Sequence, residues 1–418
     1  MKCKVVELDS YNIHFIKTKK FKTIDVRLVF IDKFNKEDIT KRNALFDNLL
    51  YSTKEYKTKR LMNIKCQELY SASLNASNMR LGNYLISKIG ISFLNPKYTE
   101  QGMLIESLDL LKEVIFNPNI VDGGFDKETF AIVKKDLENE AKTIKEQPRA
   151  YAITRLFENM STHLPYRYHG YSYPQDLENL DEKKLYEYYQ HFFKSNSIEI
   201  FVVGDFDLDE MEKIIREKFV FVVKKKKIDN IIVQQDKIRL RSKKVVEESN
   251  NIQSNLVVGL KTKDLTEFEE KYVVSLYSLL LGGYTDSLLM QNVRENESLV
   301  YYINSHLNKV DNLIIIKSGF AFKNFEKVIK LIKKTIKQIG EGNFDENSIH
   351  KYQFEYITSL NYLESMPSGL MDLDLMNYLG VSDSIEMRKQ EIMKVTKKDI
   401  QELNKKIFLD TIYLLRGE

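Results

Sequence analysis

Residues 44–53, Ala-Leu-Phe-Asp-Asn-Leu-Leu-Tyr-Ser-Thr, place apolar side chains at the i, i+4 pairs Leu45/Leu49 and Phe46/Leu50, the spacing of one buried helical face. Ala44, Asp47 and Asn48 share another stripe of the same helix. Further on, Gly-Gly-Phe-Asp at 123–126 opens a helical pattern over 129–140, and Gly-Asn-Phe-Asp at 342–345 opens a similar one over 348–357. Asp126 and Asp345 are suited to cap these helices, each following a Phe that can serve as a hydrophobic staple. A second match accompanies the first. Residues 180–185, Leu-Asp-Glu-Lys-Lys-Leu, lead through His191-Phe-Phe to an apolar strand at 198–205, while residues 395–400, Val-Thr-Lys-Lys-Asp-Ile, lead through Ile407-Phe to a strand at 412–418. Two matches at nearly one offset indicate a duplicated chain.

The pattern therefore reads as α+β, with two homologous lobes, each a mainly antiparallel sheet packed against helices. In each lobe an early strand (24–31; 256–260) precedes helices, a central hairpin (84–93; 301–321), long helices and a final strand. The N-terminal lobe is expected over residues 1–223 and the C-terminal lobe over 236–418. Between them, 224–235 reads as an exposed linker that lets the lobes move: its run Lys224 to Lys227 follows a strand-like stretch at 219–223, and such charge runs are usually solvated.

Composition narrows the class. A chain of 418 residues exceeds one ordinary domain, and 24 Tyr with 23 Phe supply large cores. Lys+Arg exceeds Asp+Glu by 64 − 60 = 4, too near neutrality for the field of a nucleic-acid binder. The two cysteines, Cys3 and Cys66, have no neighbouring Cys or His in sequence, so they form neither a disulfide framework nor a spaced metal motif, and a reducing compartment is expected. Glu7 and Asp9 interrupt the N-terminus before an apolar core of signal-peptide length can form. Apolar stretches such as 273–283 fall short of the roughly 20 residues that cross a bilayer. A soluble, cytoplasmic protein without a nucleic-acid or membrane partner is the expectation.

The run 282–302, Gly-Gly-Tyr-Thr-Asp-Ser-Leu-Leu-Met-Gln-Asn-Val-Arg-Glu-Asn-Glu-Ser-Leu-Val-Tyr-Tyr, resembles the pattern G-G-x-x-S-x-L-x-x-x-[IV]-R-E-x-x-x-L-[AV]-Y of the insulinase/pitrilysin-type zinc peptidases. Residues 164–170, Leu-Pro-Tyr-Arg-Tyr-His-Gly, resemble that family's H-P-x-x-x-x-x-G segment, and Leu-Leu-Tyr at 49–51 aligns with its first-lobe helix. The resemblance covers the whole chain and implies the LuxS/pitrilysin-like metalloenzyme duplication. Active members hold zinc through H-x-x-E-H on the first-lobe helix and a Glu on a later helix. Two imidazoles four residues apart share one helix face, and the intervening Glu acts as general base. On this alignment the His positions are Ala44 and Asn48, and the Glu position is Asp47. Neither Ala nor an amide replaces a neutral imidazole at zinc. The distal ligand position falls near Glu138, Asn139 or Glu140, on a helix rich in acids. Of the six histidines (His14, His163, His169, His191, His306, His350), His163 and His169 lie closest in sequence, in a loop with no rigid element to fix both.

The resemblance further implies that Arg294 and Tyr301 contact the substrate near the scissile carbonyl, where a guanidinium and a phenol can stabilise oxyanion charge. It implies that the turn at Gly282 and Gly283 guides the peptide. By itself the glycine pair reads as a helix C-cap with a residue in the left-handed region. Bacterial members of the family include two-chain enzymes in which one chain holds zinc and its homologue supplies the Arg/Tyr pair. The expected role is thus a non-catalytic, substrate-binding subunit with no cofactor of its own, paired with a homologous zinc-bearing subunit, the zinc belonging to the partner, and acting on peptides held as an added strand at a sheet edge. The alternatives are a purely structural scaffold and an independent enzyme with a metal site rebuilt from Asp47 and Glu140.

Overall fold

The structure is a computed structural model that describes residues 3–235 and 237–418. The chain divides into two compact units. One comprises residues up to Thr143 with 170–229 and 363–375; the other comprises 144–169, 230–362 and 376–418.

The first unit is built on a six-stranded sheet. Its strands are β1 (Cys3–Glu7), β2 (Asn12–Lys17), β3 (Thr23–Lys33), β4 (Ser73–Leu81) and β5 (Tyr84–Leu94); a separate two-residue hairpin, β6 (Ile120–Val121) with β7 (Gly124–Phe125), intervenes before β8 (Ser197–Gly204). The sheet order is β1-β2-β8-β3-β5-β4. Neighbours run antiparallel except β2 and β8, which are parallel. Every residue of β8 is buried, as expected of an interior strand covered on both faces. The Lys36–Tyr51 helix sets Leu45, Phe46 and Leu49 into the core, with Phe46 edge-on to Phe30 of β3 at 6.1 Å between ring centroids. Phe192 meets Phe30 edge-on at 5.2 Å. The apolar stripe of the 44–53 stretch is thus the packing face of this helix. Asp126 caps the Lys127–Lys145 helix, accepting from the Thr129 amide at 2.9 Å.

The second unit repeats the plan. Its strands are β9 (Lys243–Glu248), β10 (Ser254–Thr262), β11 (Tyr302–Asn308), β12 (Leu313–Phe320) and β13 (Ile407–Arg416), in the order β11-β12-β10-β13-β9. Here too one neighbouring pair, β13 with β9, is parallel and the rest are antiparallel. Laid over the first sheet, β11-β12-β10-β13-β9 corresponds strand for strand to β4-β5-β3-β8-β2. The two lobes are homologous in topology as well as in sequence.

The units draw one helical segment each from the other half of the chain. The Pro148–Met160 helix, which follows the Lys127–Lys145 helix of the first half, lies on β10 and β13. Ala152, Leu156 and Met160 are buried there with Val257, Ile315 and Tyr413. Gly259 makes the fit possible, because a Cβ at that position would sit 2.4 Å from Met160 Sδ. Conversely, residues 363–375, most of them in the Pro367–Tyr378 helix, belong to the first unit, where Asp372 accepts from Arg27 and Lys88 at 2.8 Å each. A proline at the first helical position follows a long helix in both cases.

Residues 219–223 form no strand; Phe219 and Phe221 are buried as core side chains instead. Nor does 224–235 hang free. The Lys225 amide donates to Asp9 O at 3.1 Å, and Tyr84 Oη donates to Asp229 O at 2.6 Å, both within the first unit. The Val233 amide donates to Val310 O at 2.7 Å and Gln235 to Asp311 O at 2.6 Å, within the second. In the segment expected as an exposed linker, Lys224, Lys226 and Lys227 are exposed, while some of its peptide groups and apolar residues are taken up by each unit in turn.

Fragments 1–223 and 236–418 each lack a helical segment that their sheet buries. In urea titrations followed by circular dichroism, neither is expected to show the cooperative transition of the full chain; a cooperative, native-like transition in 236–418 alone would contradict this division.

Candidate functional site

The Lys36–Tyr51 helix begins at Asn35, whose side chain accepts from the Glu37 amide, and carries Ala44, Asp47 and Asn48, the positions that the family resemblance assigns to zinc ligands and base. Ala44 and Asn48 are both 1 % exposed. Asn48 Nδ2 donates back to Ala44 O at 2.7 Å, and its Oδ1 is buried without a hydrogen-bond partner. Asp47 is exposed on the adjacent face. This donor set does not fit zinc: one position has no donor atom, the second has turned its amide onto its own helix, and only one carboxylate remains. Among the described residues, a single group of three His, Cys, Asp or Glu side chains could share an ion, and it is Cys3, His14 and Asp374 at the β1–β2 end of the sheet. The reading of a rebuilt site on Asp47 and Glu140 gains no third ligand from it.

Around Asp47 the surface is hollow. A cavity of about 510 Å³ is lined by Asp47, Tyr51, Lys59, Cys66 and Asp136, and reaches Ser73 and Leu74 at the start of β4. Because β4 is the last strand of its sheet, one row of its peptide groups lies open beside this hollow. Desolvation at the hollow, then the charges of Glu140 and Asp136 one turn apart on the Lys127–Lys145 helix, push the Asp47 carboxyl up to about 6. Asp136 escaped the sequence reading, although its place four residues before Glu140 put both on one helix face.

In the second unit, Gly282 ends the π-helical turn Leu279–Gly283 with φ −164° and ψ 20°. Neither Gly282 nor Gly283 adopts a positive φ. The expectation of a left-handed C-cap is therefore corrected: glycine is needed at 282 because β11 passes so close that a Cβ would lie 2.6 Å from the Ser305 amide nitrogen. Ser305 Oγ donates to Ser278 O at 2.6 Å and holds the strand against the turn. Arg294 lies in a second π-helical turn, Met290–Glu295, with its side chain exposed. Tyr301 precedes β11, its amide donating to Gly319 O at 2.8 Å, and its ring is 65 % exposed. No hydrogen bond or ion pair within the described residues engages the side chain of either, and none joins them to each other. The next residue, Tyr302, turns the other way: its hydroxyl donates to Asn255 at 3.0 Å and the Arg149 guanidinium lies 4.2 Å from its ring centroid. That cation–π pair was not legible in sequence, the two residues being far apart along the chain. Like β4, β11 is an edge strand with an open side.

Residues 179–356 match the family model described as "Peptidase M16 inactive domain". The chain is 28% identical over 97% of its length to the "Probable inactive metalloprotease YmfF" of Bacillus subtilis, 95% of which is covered. It is 20% identical over 73% of its length, and 73% of that relative's, to the "Uncharacterized zinc protease YmxG" of the same organism. The crystal structure of a conserved protein from Enterococcus faecalis superposes over the whole chain and 99% of its own, with a TM-score of 0.92 at 26% identity. No helix among the described residues is long and apolar enough to cross a membrane.

The raised carboxyl of Asp47 has a signed consequence. An acid whose folded pKa, about 6, exceeds its unfolded value of roughly 3.9 favours the folded state when protonated and penalises it once ionised above pH 6. Asp47→Asn is expected to stabilise the chain at pH 7.5 by about 1 kcal/mol or less, after allowance for screening at an exposed carboxylate. Urea midpoints should converge with those of the parent near pH 3.5; equal midpoints at pH 7.5 would refute the charge repulsion.

Proposed function

We propose that this chain, which belongs to the M16 peptidase family, is the non-catalytic, peptide-holding subunit of a two-chain zinc peptidase, paired with a homologous chain that bears H-x-x-E-H. The observation that carries the reading is a contrast between two places in one fold. The helix positions that hold zinc in active members are buried at Ala44 and Asn48, where the amide of Asn48 turns back onto its own helix, whereas the side chains of Arg294 and Tyr301 remain exposed with no bonding partner among the described residues. A guanidinium left unpaired at a surface loses little by remaining in water and gains from a carbonyl or developing oxyanion presented to it.

The division of labour follows from this. Zinc and its chemistry belong to the partner, while this chain supplies hydrogen-bond donors and strand edges. A peptide in extended form can add to β4 or β11, giving affinity through main-chain bonds that are indifferent to sequence. Side-chain preference then comes from the hollow beside β4, where Asp47, Asp136 and Glu140 outnumber Lys59 and favour a Lys or Arg of the substrate. YmfF and YmxG, described as an inactive metalloprotease and a zinc protease of one organism, illustrate the two kinds of chain that such a pairing needs.

The test is to isolate the chain with its native partner and assay peptide turnover of the complex. Arg294→Ala and Tyr301→Phe are each expected to lower kcat by about 100-fold, the size of a lost oxyanion donor, with the complex still assembling by size-exclusion chromatography. Full turnover in both variants would remove the proposed role and leave a purely structural member of the fold.

A further inference from the structure

A buried polar cluster of the first unit lies at the β1–β2 end of its sheet. His14 of β2 is 1 % exposed and is held on every side. Its Nε2 is 3.0 Å from Glu199 Oε2 of β8, its Nδ1 is 2.9 Å from Asp374 Oδ2, and its ring stacks on Phe201 at 4.3 Å between centroids. The Cys3 thiol of β1 donates to the same Asp374 oxygen at 3.3 Å. The three atoms Cys3 Sγ, His14 Nδ1 and Asp374 Oδ2 lie within 4.8 Å of one another.

We propose that Cys3, His14 and Asp374 bind a zinc ion, with Glu199 orienting the imidazole. The donor set is one thiolate, one imidazole and one carboxylate, a mixture that zinc accepts and that calcium and magnesium do not favour. Zinc bonds of roughly 2.0–2.3 Å set tetrahedral ligand separations at about 3.3–3.8 Å. The Asp374 contacts, 2.9 Å to His14 and 3.3 Å to Cys3, lie below and at the lower edge of that range, and all three atoms are within 4.8 Å of one another, so shifts of an ångström or less bring them to zinc distances. Metal-bound histidines characteristically give their second nitrogen to a carboxylate, and Glu199 occupies that position.

A second observation comes from Glu199 itself. It is fully buried, with Oε2 accepting from Asn12 Nδ2 at 2.9 Å as well as facing His14, yet Oε1 has no hydrogen-bond partner. A buried carboxylate short of partners calls for a cation nearby. His14, set between Glu199 and Asp374, supplies that charge when protonated. Zinc binding displaces the thiol proton and the proton on Nδ1, so the ion's two positive charges replace two protons and the net charge of the cluster is unchanged. Asp374 and Cys3 are 371 positions apart in sequence. The ion would therefore fasten β1, β2 and the 363–375 segment to one another, and its binding energy would add to the stability of the first unit.

The full-length chain, stripped with a chelator, is titrated with zinc chloride and followed by calorimetry and thermal unfolding, and with cobalt(II) for its absorption spectrum. One equivalent of zinc, a raised Tm, and a thiolate-to-cobalt charge-transfer band in the near ultraviolet are expected. Cys3→Ser and His14→Gln should each weaken binding at least tenfold and abolish the band, while Cys66→Ser changes nothing. Should His14→Gln fail to fold, Cys3→Ser on the edge strand decides. The proposal is overturned if the parent chain retains no zinc, or if Cys3→Ser binds it as tightly as the parent.

Discussion

Each sheet in this chain has to bury one face under a helical segment taken from the opposite half of the sequence. Ala152, Leu156 and Met160 go into the second unit although they precede the midpoint of the chain, and 363–375 goes into the first although it follows it. Full burial of side chains such as Leu156 and Met160 stabilises by roughly 1.5–3 kcal/mol each, so the second sheet is incomplete without the loan. Gly259, whose missing Cβ admits Met160, and Asp372, which takes two basic side chains of the first sheet, are local adjustments to that requirement. A half-length chain on this plan could cover its sheet only by trading helices with a second copy.

Much of the plan was legible because buried elements write themselves plainly. The interior strand β8 is apolar from Ile200 to Val203, the helix of residues 44–53 keeps its i, i+4 pairs, and Asp126 caps where a polar residue after a Phe predicted it. What escaped were elements with one face in water. β4, Ser-Leu-Asn-Ala-Ser-Asn-Met-Arg-Leu, alternates too weakly, and β9, Lys-Lys-Val-Val-Glu-Glu, has only two apolar residues between charges. The exchange of helices escaped for another reason: an amphipathic stripe records that a helix is covered, not which sheet covers it. Pro148 and Pro367, each restarting a helix after a long one, were the visible trace.

The site divided along the same line. Ala44, Asp47 and Asn48 could be placed in advance because helical spacing alone puts them on neighbouring faces. Arg149 beside Tyr302, and His14 between Glu199 and Asp374, could not, since the pairs are joined only by sheet register and by the exchanged segment. The two glycines show the intermediate case. Their position at a helix end was correct, but neither adopts a left-handed turn, and at Gly282 the cause is the approach of Ser305, a distinction that needs the neighbouring strand.

The helix that carries Ala44, Asp47 and Asn48 is firmly anchored. Arg42, 2 % exposed, donates to Ser87 at 2.9 Å and to Asn196 at 2.8 Å, pinning it to β5 and to the entry of β8. Beyond β5, the strand β4 ends the sheet with one side open. An edge able to take a foreign strand is equally able to take another copy of itself, so selection on such a chain acts on solubility as well as on recognition. The Ser, Asn and Arg residues spaced along β4 then serve a second purpose. They leave the ladder exposed to water while giving a second β4 little apolar surface against which to aggregate.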